Sequence, residues 1–130
     1  MAVLALAMSG FVLNLNANVM GALLPILSSD FEFEEHGGAM LLAAAGAGSA
    51  IGALLVADAE RWLGRRNLLA ASLAIFVLTS AAHLLVGGYP ALLAARAMSG
   101  FSSGLAYATA SAVAADLAPY DRRAAVMGKF

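Results

Sequence analysis

The chain has 130 residues, of which 62% are hydrophobic and 12% charged, with a net charge of -1 and no cysteine. Soluble domains carry roughly 45–50% apolar and 25% charged residues, so a water-soluble globule could not hide this much apolar surface. The net charge is uninformative by itself, unlike its distribution; no nucleic-acid partner is expected, and the missing thiols exclude a disulfide framework and thiolate metal sites.

Charge is absent from residues 1–29, 37–57 and 67–95. Each run is long enough for a bilayer-crossing helix of about 20 apolar residues. A closed barrel would need alternating strands, and continuous Leu/Ala/Val runs do not alternate. The expectation is an all-α integral membrane helical bundle, with spans at 2–27, 38–57, 67–86 and 90–117 and a fifth starting near Ala124.

The first span lacks the basic start of a signal peptide and outruns its apolar region of about 7–15 residues, so it reads as a span. Near its middle stand Asn14, Asn16 and Asn18. An amide with unmade hydrogen bonds in hydrocarbon costs several kcal/mol, which calls for partners or water. At 100° per residue Asn14 and Asn18 share a face with Gly21 and Pro25, and Asn16 points away. That face suits either a cavity lining or a purely interhelical hydrogen-bonding role.

An acidic stretch follows, with Asp30, Glu32, Glu34 and Glu35. The second span carries Gly48 and Gly52, a Gly-x-x-x-Gly lane that lets two backbones approach closely. After it come Asp58, Glu60, Arg61, Trp62, Gly64, Arg65 and Arg66. The third span holds His83, which has no ligand-spaced partner and reads as structural; His36 lies in the acidic stretch.

The fourth span contains a charge where a bilayer helix tolerates few. Arg96 lies roughly 9 Å below Pro90 at ~1.5 Å per residue. An ionised side chain at mid-span costs roughly 2.5–3.5 kcal/mol on insertion scales and persists chiefly beside water or a partner. Arg96, Gly100, Ser103, Tyr107 and Ser111 fall on one face, bordered by Gly104. The competing geometry is a side chain extended along its helix to the outer interface.

Six of the seven basic residues (Arg61, Arg65, Arg66, Arg122, Arg123, Lys129) follow spans two and four. Basic loops stay cytoplasmic, so the amino terminus and both basic loops are expected inside, in a multi-pass protein of the cell membrane. Mixed signs at one membrane face allow ion pairs such as Arg65 or Arg66 with Asp116. Simple topology marking needs no such pairing. Nothing resembles a nucleophile with its base, a phosphate cradle or a paired-carboxylate centre, so the chain is not expected to be an enzyme and no cofactor is implied.

These residues resemble the amino-terminal part of major facilitator superfamily transporters. The likeness rests on Ala22-Leu23-Leu24-Pro25-Ile26, which is similar to the end of helix one in drug and sugar exporters. It rests also on Gly64-Arg65-Arg66, similar to the end of the Gly-x-x-x-Asp-Arg-x-Gly-Arg-Arg signature, and on Arg96 with Gly100 and Gly104 in the fourth-helix signature. Pro119-Tyr120-Asp121-Arg122-Arg123 followed by Met127-Gly128 looks like the start of helix five. Three positions depart from the loop signature: Ala57 stands where glycine is usual, Arg61 where the acid is usual, and Trp62 where a base is usual. Asn16 occupies a place where several drug exporters carry aspartate.

The resemblance implies the first four helices, and the start of the fifth, of a major-facilitator-type N-terminal domain. It implies a secondary transporter, twelve or fourteen helices in all, whose halves rock about a midplane site. The partners implied are the lipid bilayer, a small-molecule substrate, protons and the missing C-terminal part of the same transporter. Arg96, Gly100 and Gly104 would serve transport and coupling; Asn14, Asn18, Ser103 and Tyr107 would line the cavity; Gly64, Arg65, Arg66 and Asp116 would form the cytoplasmic loop signature. The function expected is proton-coupled efflux of drug- or sugar-type molecules, an antiport. The alternatives are a non-transporting membrane scaffold subunit and a small four-helix dimeric exporter, although such exporters use a glutamate in span one and this span has none.

Overall fold

The computed structural model describes residues 2–30 and 35–117. They form four long helices, α1 (Ala2–Asp30), α2 (Glu35–Leu63), α3 (Arg65–Ala82) and α4 (Tyr89–Leu117), with a 3₁₀ turn at His83–Leu85 closing α3. No strand occurs among the described residues. The expected fifth span and the basic residues Arg122, Arg123 and Lys129 lie outside them, as do Glu32 and Glu34.

Helix α2 runs past the apolar stretch that marked it, through Asp58, Glu60 and Arg61 to Leu63. Hydropathy records which residues suit lipid, whereas the hydrogen-bond ladder continues until a residue leaves helical dihedrals. That residue is Gly64, at φ +74° and ψ 151°, a region essentially restricted to glycine. Its N–H donates to the Glu60 carbonyl and its own carbonyl accepts from Leu68 N–H, both at 2.9 Å. A single residue thus turns α2 into α3. At the opposite end of the bundle, the Tyr89 hydroxyl donates to the Gly37 carbonyl at 2.9 Å, joining the start of α4 to the start of α2.

Helix α4 is the centre of the bundle. Its glycines and those of α2 form two facing lanes. A Cβ added to Gly48 would strike the Ala97 carbonyl, and one at Gly52 the Phe101 carbonyl. One at Gly100 would strike Ala45, and one at Gly104 would strike Ser49, each on the backbone. Only helices without side chains at these points can lie so close, which is the small-residue packing available to membrane helices.

On its other side α4 presents Ala106, Ala110 and Ala114 to α3. Ala110 and Ala114 pack with Leu69 and Val113. Phe76 of α3 and Leu13 of α1 close on Ala106. Helix α1 docks lightly through Leu13, and its Pro25 has no N–H to return to the ladder.

The rest of the apolar surface faces outward. Ile51, Leu54 and Leu55 on α2 and Ile75, Val77 and Leu78 on α3 are exposed. The segments His36–Leu63 and Arg65–Leu85 are long and apolar enough to cross a membrane, with mean hydropathies of 2.0 and 2.1, yet only 17% of each apolar window is buried. A core helix of a soluble protein would be mostly covered. An outward-facing apolar belt on helices of this length suits lipid as the surrounding solvent.

Candidate substrate cavity

Arg96 lies one turn before Gly100, on the part of α4 held tightly against α2, so its backbone is fixed by the glycine lanes. Its side chain turns inward, and the residue as a whole is 4% exposed. The geometry in which the side chain extends to the outer interface is not the one adopted. Nη1 donates to Oδ1 of Asn16 on α1 at 3.1 Å, and Nε is buried without a partner.

A cavity of about 300 Å³ opens beside this pair, with Ser49 from α2 and Ser99 and Ser103 from α4 among its polar lining. Leu13, Leu42 and Phe76 supply apolar wall. The two α4 hydroxyls are committed to their own helix: Ser99 donates to the Arg96 carbonyl at 3.0 Å and Ser103 to the Gly100 carbonyl at 2.8 Å. A neighbouring cavity of about 320 Å³ shares Leu13, Ser49 and Ser103 and is also lined by Asn14, Gly104 and Tyr107. Together they trace a path along the seam of α1, α2 and α4, apolar over most of its lining and with polar groups at Asn14, Asn16, Ser49, Arg96, Ser99, Ser103 and Tyr107.

Of the residues singled out from the sequence, Arg96, Gly100, Ser103, Gly104, Tyr107 and Asn14 border this path. Asn18 is exposed and donates to the Asn14 carbonyl at 2.9 Å within its own helix. Asn16, which the helical wheel sets opposite Asn14 and Asn18, is the asparagine that reaches Arg96. The wheel fixes relative angles only; the docking of Leu13 against α3 and α4 decides which face turns inward, and Asn16 is one turn from Leu13. Ser49 and Ser99 were also missed. The position of Ser49 beside Gly48, in the lane, was the available signal.

The charged cluster lies where α2 turns into α3. Arg65 Nε donates to Glu60 Oε2 at 3.1 Å, and Nη1 pairs with Asp116 at the end of α4. Hydrogen bonding to Glu60 first, then the charge of Asp116, raises the Arg65 pKa above its ordinary value, so this cation stays charged. Arg66 is exposed, and Arg61 pairs with Asp58 at 3.5 Å on the surface. Anchoring on Gly64 puts Arg61 in the acidic position of the loop signature. In space the carboxylate facing Arg65 is Glu60, because the turn at Gly64 folds Arg65 back over the last turn of α2.

A family model for the Major Facilitator Superfamily matches residues 6–130. The chain is similar to a protein described as "Uncharacterized MFS-type transporter YtbD" from Bacillus subtilis (strain 168), with 29% identity over 126 residues. The match covers 97% of this chain and 32% of the relative, so the chain spans about a third of that protein's length. No solved structure matches it significantly. With a family match over nearly the whole sequence, on an all-helical bundle with an outward apolar belt, the chain belongs to the major facilitator superfamily and is a membrane protein.

Proposed function

We propose that this chain forms the first part of the N-terminal domain of a secondary transporter that exports small molecules of drug or sugar type in exchange for protons, by alternating access. The observation that carries the reading is the inward-turned Arg96 bonded to Asn16, beside a serine-lined cavity between α1, α2 and α4. A scaffold subunit requires helix contacts and no such cavity. A buried cation raises the free energy of protonating any group brought beside it, which is the physical basis for a coupling role.

Gly100 and Gly104 serve that site by fixing the α2–α4 approach. Gly64, Arg65, Arg66 and Asp116 belong to the cytoplasmic face, with the amino terminus on the same side of the cell membrane. The Arg65–Asp116 pair supports this topology, since it requires the α2–α3 turn and the end of α4 to lie at one face. The remaining helices come from the C-terminal part of the same transporter.

The test is Arg96→Ala in the protein expressed from its complete reading frame. Energy-dependent efflux of a drug and sugar panel should be abolished while membrane insertion stays at the parental level. Efflux at the parental rate would remove the assigned role.

A further inference from the structure

We propose that His83 is a proton-sensitive catch at the end of the bundle opposite Gly64: with one ring proton it holds the 3₁₀ turn His83–Leu85 in place, and a second proton releases that turn. The inference goes beyond the transport reading and does not depend on it. It begins from two ring nitrogens in different surroundings. Nδ1 lies 2.6 Å from the Thr79 carbonyl, and a carbonyl only accepts, so Nδ1 carries a proton. Nε2 is buried without a partner. The ring that fits is therefore neutral, with a lone pair on Nε2.

A second proton, taken from water, would add to that lone pair and make the ring a cation. The enclosed position would then hold a charge and an N–H without an acceptor, which costs more than an unmet lone pair. The partial negative charge at the end of α3 favours a cation there, but the Thr79 carbonyl already takes the Nδ1 proton. The neighbouring helices do not answer Nε2 either. Helix α3 packs against α4 and α2, and Leu13 of α1 meets Phe76. Toward this end α2 carries Glu35 and His36, α4 carries Tyr89 and Arg96, and residues 1–29 carry no titratable side chain. The Tyr89 hydroxyl donates to the Gly37 carbonyl and Arg96 to Asn16. Nε2 is enclosed by the described residues themselves, so helices from the rest of the protein cannot reach it while the turn is in place.

The turn is weakly held. A 3₁₀ turn has poorer hydrogen-bond geometry than an α-helix, and this one runs into extended Val86 and then Gly87 and Gly88. Ser80 Oγ, one turn before His83, is also buried without a partner, so release lets two unmet polar atoms reach water. It would also loosen the connection that leads to Tyr89 and its tie to Gly37. The released state binds one more proton than the held state, so release grows as pH falls through the range in which imidazoles titrate, about pH 8 to 5.

The experiment uses the detergent-solubilised protein from its complete reading frame and reads two things across that range. Ring carbon and nitrogen shifts of histidine-labelled protein, with His83 assigned by its loss in His83→Gln, report where the protons sit. A nitroxide on a single cysteine replacing Leu84, which is 87% exposed, reports whether the turn is held. At high pH the ring should be neutral with its proton on Nδ1 and the label immobile. As pH falls the second proton and a mobile label should appear together, the released-to-held ratio rising by up to about tenfold per pH unit, the limit for one proton. In His83→Gln, or in His83→Asn where glutamine does not fold, the label should not respond to pH.

A neutral ring protonated on Nε2, a ring still neutral at the acid end of the range, or a doubly protonated ring beside an immobile label would each overturn the proposal. So would a pH step in label mobility that persists in His83→Gln.

Discussion

The bond between Arg96 and Asn16 joins α1 to α4 at the cavity, and removing its acceptor leaves a second guanidinium nitrogen of Arg96 unpaired. Asn16→Ala should therefore destabilise the bundle by about 1–3 kcal/mol, the usual cost of a buried donor left without a partner. Asn18→Ala removes an exposed amide bonded within its own helix, and should stay within about 0.5 kcal/mol of the parent. Thermal unfolding in detergent micelles checks both, and equal effects would contradict the placement of α1. The asparagines were legible in sequence as polar groups in need of partners, and Arg96 as an inward charge. Which asparagine met Arg96 was not legible, because that depends on how α1 is rotated about its axis.

The pairing of α2 with α4 is a matter of backbone approach, and glycine positions test it with internal controls. Gly104→Ala places a methyl group on the Ser49 backbone, and Gly100→Ala places one on Ala45. Each should cost about 1–3 kcal/mol, the range for overpacking a fitted contact. Gly46→Ala and Gly21→Ala meet nothing within 4 Å and should be neutral or stabilising, since alanine is the better helix former. Melting temperatures of the four variants read the difference directly. Gly64→Ala belongs with the costly group for another reason: its φ of +74° strains any side chain by about 1–3 kcal/mol. The Gly48/Gly52 lane was legible from spacing alone. Gly100 and Gly104 were legible by spacing as part of the Arg96 face, but not as the lane facing α2, since one helix's sequence does not name the helix opposite.

The bundle as a whole is tied at one face by Glu60, Arg65 and Asp116, which connect the ends of α2, α3 and α4. Reversing one charge of the Arg65–Asp116 pair should lower transport, and reversing both should restore part of it. The structure makes the rescue incomplete, because Arg65→Glu also faces Glu60; adding Glu60→Gln to the double exchange should raise activity further. Efflux rates across this series check the order, and a triple variant no better than the singles would contradict the cluster. The four helices, and the ion pair that joins the α2–α3 turn to the end of α4, could be read from charge gaps and charged clusters. The part taken by Glu60 could not, since it lies one residue out of the signature's register and is brought to Arg65 by the turn at Gly64.

A chain without cysteine allows a direct test of whether the Arg96 seam is an aqueous path inside a membrane-embedded bundle. Single cysteines at Ser103 and Tyr107, on the seam, and at Leu54 and Leu78, on the outward apolar belt, would be treated with a membrane-impermeant thiol reagent in sealed vesicles. The account predicts labelling of Ser103→Cys and Tyr107→Cys and none of Leu54→Cys or Leu78→Cys. Unreactive seam positions beside reactive belt positions, or four positions that react alike, would contradict it.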